Sequence, residues 1–124
     1  MTLYTSALDE RIRSAVVSGY FNTFEDSILA MEHCDCNYIP GIRKYAEMSD
    51  VAAMIAPRPL LIESGTEDQI FPIEATRTAL GKLKKAYEVL GAADKLDIYI
   101  GNGGHRFYGN KAFDWMDRWL ARDR

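Results

Sequence analysis

Three short apolar runs, separated by stretches of helical periodicity, most constrain the fold of this chain. Each run is rich in bulky or β-branched residues, and glycine or proline lies next to the first two, which is typical of buried strands. Between the second and third runs, apolar residues recur every three or four positions over residues 72–90, which predicts a helix. Strands that alternate with helices predict an α/β fold with a parallel sheet. The runs are Ser14–Ser18, Leu60–Glu63 and 96–100.

Other segments are predicted to flank these strands. Residues 2–8 look like the end of a helix, because no N-cap residue precedes them. We predict a helix over Phe24–Glu32, capped by Thr23, then a loop over residues 33–41 and a helical region over residues 42–55. A last apolar stripe predicts a terminal helix through Ala112, Trp115, Met116, Trp119 and Leu120.

Length and composition exclude several classes of protein. The 124 residues suffice for one domain with a core, and 48% hydrophobic with 27% charged residues are ordinary globular proportions. A net charge of -3 without a basic patch gives no attraction to nucleic acid or an anionic membrane. The longest apolar stretch, Val51–Pro57, is far shorter than the roughly 20 residues of a spanning helix. From the length we expect a single domain over residues 1–124. Because no secretory signal is recognisable, we expect this domain to lie in the cytoplasm, with Cys34 and Cys36 reduced.

Chemically reactive residues follow the second and third predicted strands. Asp68 lies in the turn Gly65–Pro72, and His105 lies in the glycine-rich loop that starts at Gly101. Ligands of open parallel sheets bind beyond the carboxyl ends of the strands. An acid and a histidine at neighbouring strand ends, in this chain order, are the orienting acid and the general base of a nucleophilic triad.

These residues and several neighbours resemble a known family. They are similar to the C-terminal part of α/β-hydrolases, in particular to the dienelactone hydrolase and acetyl xylan esterase-like branch. The resemblance covers nearly the whole chain, and it implies that the three strands match the sixth, seventh and eighth strands of the family sheet. It also implies that Asp68 is the triad acid and His105 the general base. The matching segments are Ala56–Gly65, Phe71–Pro72, Gly104–His105 and, for the loop between the sixth and seventh strands, His33–Gly41.

The family's nucleophile is absent from this sequence. That serine lies on a G-x-S-x-G elbow between a strand and a helix, and no such pattern occurs in the 124 residues. Residues 2–8 resemble the end of the helix that begins at the elbow, so we expect the chain to start just after the missing serine. The resemblance implies a serine carboxylic-ester hydrolase that acts on a small-molecule ester without a cofactor. We expect this chain alone to be inactive, because the oxyanion hole would be missing as well.

Simpler interpretations of these residues remain open. Asp68 is also a typical turn or helix-capping residue, and His105 alone is more often structural. The two cysteines and His33 are zinc-ligand types, but a structural site needs four ligands in spaced pairs, so we expect no metal. A cysteine nucleophile is disfavoured because neither cysteine follows a strand. Ser18 does follow the first strand, yet it lacks an elbow.

A second hypothesis is a non-catalytic interaction module. With the preceding strands absent, the first predicted strand would be an edge with unpaired backbone groups. Apolar residues that a complete hydrolase would bury should then form a patch larger than a monomer tolerates. We therefore expect a homodimer or larger assembly through residues 1–21, most simply by a two-fold contact. The expected patch consists of Leu3, Tyr4, Leu8, Val16 and Val17.

Overall fold

Three parallel strands in sequential order form the sheet of this protein. The computed structural model describes residues 1–121. Strand β1 pairs with β2 and β2 pairs with β3, with Ala15, Leu60 and Leu96 side by side at the start of the strands. The α/β class and the parallel sheet predicted from the sequence are confirmed. The strands are β1 (Ala15–Ser18), β2 (Leu60–Gly65) and β3 (Leu96–Gly101).

Helices cover both faces of the sheet. Three of them, α1, α2 and α3, pack on one face, and α4 packs on the other. None of the helices described over residues 1–121 is both long and apolar enough to cross a membrane. The helices are α1 (Thr2–Leu8), α2 (Met48–Ala53), α3 (Ile73–Val89) and α4 (Ala112–Leu120).

The central strand, β2, is buried along its whole length. Leu60 and Ile62 pack with the helices α1 to α3, whereas Leu61 packs against the tryptophans of α4. Burial on both faces explains why this run is continuously apolar rather than alternating. The apolar run stops at Glu63, whose side chain is buried near the carboxyl edge of the sheet.

The helix predicted over residues 24–32 is wrong, because the chain forms consecutive turns there. Thr23 does act as a cap, since its Oγ1 accepts the N–H of Asp26 at 3.2 Å. However, the hydroxyl of Ser27 donates to the carbonyl of Thr23, and the N–H of Leu29 bonds to a carbonyl five residues back. These bonds replace the i to i−4 ladder that an α-helix requires.

The region predicted as helical over residues 42–55 is divided into two pieces. A short 3₁₀ turn covers Ile42–Lys44, and α2 starts only at Met48. Glu47 precedes α2, and its Oε1 accepts the N–H groups of Met48 and Phe24, each at 2.8 Å. One carboxylate therefore caps α2 and also fixes the turn that follows β1, which explains the late start of the helix.

Residues 1–21 are more deeply buried than the exposed apolar patch predicted for them. Leu3 and Val17 are each only 1% exposed, so their assignment to an exposed patch is wrong. Helix α1 packs on β1 and α2 and buries both residues. Leu8 stays exposed and Val16 is half-buried. Within the described residues, the outer edge of β1 has no strand partner.

Candidate functional site

Asp68 and His105 meet at the carboxyl edge of the sheet, where the sequence predicts them. Nδ1 of His105 lies 2.9 Å from Oδ2 of Asp68. The other carboxylate oxygen, Oδ1, accepts the backbone N–H groups of Ile70 and Phe71, each at 2.9 Å. The side chain of Asp68 is 1% exposed, and that of His105 is 44% exposed. Because a carboxylate only accepts hydrogen bonds, the contact places a proton on Nδ1 and leaves Nε2 free to act as a base.

Phe71 and Gly19 bound the imidazole ring. The ring of Phe71 stacks on that of His105, with centroids 5.6 Å apart and an angle of 22° between the planes. A Cβ atom on Gly19 would lie 3.0 Å from Cε1 and 3.2 Å from Nδ1 of His105. The φ angle of Gly19 is +61°, in the left-handed region that glycine tolerates. In the sequence, Gly19 marks only a strand end, so its contact with the histidine could not be predicted.

Backbone hydrogen bonds join the two segments that carry the site. We call residues 66–72 the acid turn and residues 101–111 the histidine loop. Because these bonds hold the backbones together, they set the distance between the two side chains rather than leaving it to the side chains alone. Two N–H groups of the acid turn, of Thr66 and Glu67, donate to the carbonyls of Gly101 and Gly103, each at 2.9 Å.

His105 borders a cavity of about 360 Å³, at the lower end of the range for small-molecule sites. The end of β1 and the turn after it, the loop before α2, the acid turn and the start of α1 also line it. The hydroxyl of Tyr20 donates to Oδ1 of Asn37 at 3.0 Å. Burial raises the pKa of the Tyr20 phenol above its ordinary value. The other lining residues include Met1–Leu3, Gly19, His33 and Phe71.

Ser18, the serine considered as a nucleophile, lines the same cavity. Its hydroxyl donates to the backbone carbonyl of Arg106 at 3.4 Å, and within residues 1–121 no hydrogen bond joins it to His105. Ser18 is also the last residue of β1, not part of a tight strand-to-helix turn that would expose its hydroxyl. The structure therefore does not favour Ser18 as the nucleophile.

The cysteines and His33 do not form a metal site. Both thiols are free and exposed. Nε2 of His33 lies 3.2 Å from the backbone carbonyl of Ser27, which occupies that ring nitrogen. In the part of the chain that the structure describes, no group of three or more histidine, cysteine or acidic residues could hold a metal ion.

The chain is similar in sequence to a curated hydrolase and in fold to solved esterase structures. No family model matches it. It is 27% identical over 128 residues to the putative hydrolase YtaP of Bacillus subtilis (strain 168), a match that spans 97% of this chain and 42% of that protein. Its fold is similar to a CE15 glucuronoyl esterase from Caldicellulosiruptor kristjansonii, with a TM-score of 0.75, 21% identity, and coverage of 99% of this chain and 41% of that one.

A second solved structure shows the same partial overlap. The chain is similar to the glucuronoyl esterase catalytic domain from Hypocrea jecorina, with a TM-score of 0.73 and 16% identity. The match covers 99% of this chain and 42% of that chain. The present chain thus spans about two fifths of the length of the proteins it matches and shares their fold over that length.

Proposed function

We propose that this chain, whose fold is that of the C-terminal half of an α/β-hydrolase sheet, supplies the acid and the base of a serine carboxylic-ester hydrolase. The observation that carries the proposal is the 2.9 Å contact between Nδ1 of His105 and Oδ2 of Asp68. A purely structural role in the turn would explain the hydrogen bonds of Oδ1 of Asp68, which accepts two backbone N–H groups. It does not account for Oδ2, which holds a partly exposed histidine at the edge of a cavity.

In the proposed reaction, a serine hydroxyl attacks the ester carbonyl while Nε2 of His105 takes its proton. Asp68 keeps the other nitrogen protonated and stabilises the imidazolium that forms. When the tetrahedral intermediate collapses, His105 returns the proton to the leaving alcohol. The same nitrogen then activates a water molecule, which releases the acid and restores the serine.

The serine and the oxyanion-hole donors come, in this proposal, from polypeptide other than these 124 residues. No G-x-S-x-G pattern occurs in the sequence. Residues 1–3 line the same cavity as His105. A serine placed just ahead of α1 would therefore open onto that cavity, as an elbow requires.

The substrate class belongs to the same proposal. The cavity of about 360 Å³ suits a small ester. The loop His33–Gly41, which carries the resemblance to the dienelactone hydrolase and acetyl xylan esterase-like branch, supplies two of the cavity's lining residues. Two of the similar solved structures are glucuronoyl esterases. An acetyl ester and a methyl ester of glucuronic acid are therefore the two substrates to compare.

A second candidate function is a non-catalytic module that self-associates through residues 1–21. The favouring observation is the outer edge of β1, whose backbone groups have no strand partner within residues 1–121. Exposed Leu8 and half-buried Val16 lie in the same segment. A second copy of the chain could satisfy this edge by a two-fold contact.

The two functions are separated by assaying the chain alone and the chain extended at its N-terminus by a segment that carries a G-x-S-x-G serine. The hydrolase proposal expects no ester hydrolysis and no fluorophosphonate labelling of the 124-residue chain, and both reactions for the extended chain. His105→Ala should abolish hydrolysis, whereas Glu88→Gln, on the exposed face of α3, should not change it. Labelling of Ser18, or hydrolysis that survives His105→Ala, contradicts the proposal. The module predicts no reaction in either form and a dimer by light scattering.

A further inference from the structure

A second buried carboxylate lies in the central strand. Glu63 is 1% exposed, and an ionised carboxylate in such a position is costly unless it is hydrogen-bonded. Its Oε1 accepts the N–H of Gly109 at 3.1 Å, and its Oε2 accepts the N–H of Tyr108 at 3.4 Å. Among the residues that the structure describes, both partners belong to the histidine loop. Both hydrogen bonds of the Glu63 carboxylate therefore hold the histidine loop.

Glu63 is the middle member of a row of side chains that holds this loop. It pairs with Ser18 of β1 on one side and with Tyr99 of β3 on the other, so the three side chains share one face of the sheet. The hydroxyl of Ser18 donates to the carbonyl of Arg106 at 3.4 Å. The ring of Tyr99 packs against that of Tyr108, with centroids 5.8 Å apart. Each strand thus contributes a side chain that contacts the residues following the histidine.

Tyr108 connects these contacts to the other side of the histidine. Its backbone N–H is held by Glu63, and its hydroxyl donates to the carbonyl of Gly104 at 2.8 Å. Gly104 directly precedes His105. A Cβ atom on Gly101 would lie 2.2 Å from the Tyr108 ring, so the end of β3 leaves space for the ring only because it is glycine. Tyr108 therefore links the buried carboxylate to the residue before the base.

We propose that Glu63 is a positioning residue for the acid–base pair. By holding the backbone of Tyr108 and Gly109, it fixes the histidine loop so that Nδ1 of His105 meets Asp68. This inference rests on the proposed function for its catalytic meaning. The positioning itself is a property of the folded chain, and it can be measured without any ester hydrolysis.

The test is nuclear magnetic resonance on the ¹⁵N-labelled chain carrying Glu63→Gln. An amide has one acceptor oxygen and an NH₂ donor, so only one of the two loop N–H groups keeps a partner. Amide hydrogen exchange at Tyr108 or Gly109 should become at least about tenfold faster, as expected for the loss of a hydrogen bond to a charged acceptor. The ring ¹⁵N shifts of His105 should move from the Nδ1–H tautomer toward a mixture.

The matched control is Glu67→Gln, which removes an exposed carboxylate from the acid turn without removing a side-chain hydrogen bond to the histidine loop. It should leave the amide exchange and the tautomer unchanged. If Glu63→Gln speeds exchange but leaves the tautomer of His105 unaltered, Glu63 is only structural and the inference is overturned.

Two further measurements cover the case in which Glu63→Gln does not fold. Glu63→Asp keeps the charge but shortens the side chain by one methylene group. It should change the amide exchange rates and the His105 tautomer in the same direction as Glu63→Gln. Unchanged reporters in that variant overturn the inference. So does a random-coil exchange rate for the Gly109 amide in the unaltered chain. Since no readout involves hydrolysis, these results and the activity assay succeed or fail separately.

Discussion

Replacing Gly19 with alanine should displace the base of the proposed pair from its acid. The turn after β1 approaches the imidazole of His105 so closely that a Cβ atom would lie 3.0 Å from Cε1, where ordinary contact begins at 3.4 Å. The ring must therefore retreat by about 0.4 Å. The distance between Nδ1 and Oδ2 of Asp68 is now 2.9 Å. If Nδ1 moves directly away from Asp68 by as much as the ring retreats, the distance will exceed the usual upper limit of about 3.2 Å for such a hydrogen bond.

Two energies add in this variant. A non-glycine residue in the left-handed region costs roughly 1–2 kcal/mol. Weakening the bond to the partly exposed histidine adds about 1 kcal/mol, less than a fully buried charged bond would. The free energy of unfolding should fall by about 2–3 kcal/mol in total. At roughly 4 °C per kcal/mol for a chain of this size, the melting temperature should fall by roughly 8–12 °C.

Gly91→Ala is the matched control. Its φ angle is +64°, against +61° for Gly19, and a Cβ atom there would have no neighbour within 4 Å. This variant should therefore show only the backbone strain, roughly 1–2 kcal/mol. Urea unfolding measures both free energies. The ¹H–¹³C resonance of the Cε1 group of His105, which lies in the ring current of stacked Phe71, reports the ring position and should move only in Gly19→Ala.

The reasoning is refuted if Gly19→Ala and Gly91→Ala destabilise the chain equally and neither shifts the His105 resonance. In that case the close approach of Gly19 would be a feature of the turn alone. The acid–base pair would then be independent of the segment that follows β1.

Three other perturbations test the site and the assembly. In a chain extended to include a serine nucleophile, Asp68→Asn should lower kcat by about 10⁴-fold with little change in KM, because it favours the wrong tautomer of the histidine; an unchanged kcat argues against the triad role. Arg58→Met should lower the free energy of unfolding by about 3 kcal/mol in urea titrations, because the guanidinium donates to the backbone carbonyls of residues 6, 9 and 12 at 2.7–3.1 Å. A loss below about 0.5 kcal/mol would show that water replaces these bonds. Val16→Lys should dissociate the expected oligomer in light scattering, whereas an assembly that persists would move the interface away from residues 1–21.

Local sequence patterns were sufficient for the strands and for the longest helix. The helix predicted over residues 72–90 is observed at Ile73–Val89. Its ends could be predicted because Pro72 directly precedes the helix and Gly91 follows it closely. The run Leu60–Glu63 lies in β2, whose burial on both faces leaves no room for alternation. Each of these signals lies in the element that it predicts or within two residues of its ends.

The features that the sequence did not reveal depend on partners far along the chain. The cap at Thr23 is real, yet no helix follows, and the N–H of Phe24 bonds to Glu47, 23 residues away. Gly19 and Glu63 owe their roles to residues of the histidine loop that the fold brings beside them. The contact between Asp68 and His105 could be predicted because parallel strand ends converge, whereas the residues that hold these two side chains in place have no pattern of their own.

The backbone bonds between the acid turn and the histidine loop have a consequence for association. They are made entirely within these 124 residues, so the contact between Asp68 and His105 forms without any residue of another polypeptide. If a partner that carries a serine bound at this edge, the present chain would lose little conformational entropy there, and more of the contact energy would be left as affinity. In a split enzyme of the proposed kind, the segment that holds His105 against Asp68 would therefore need no ordering on assembly.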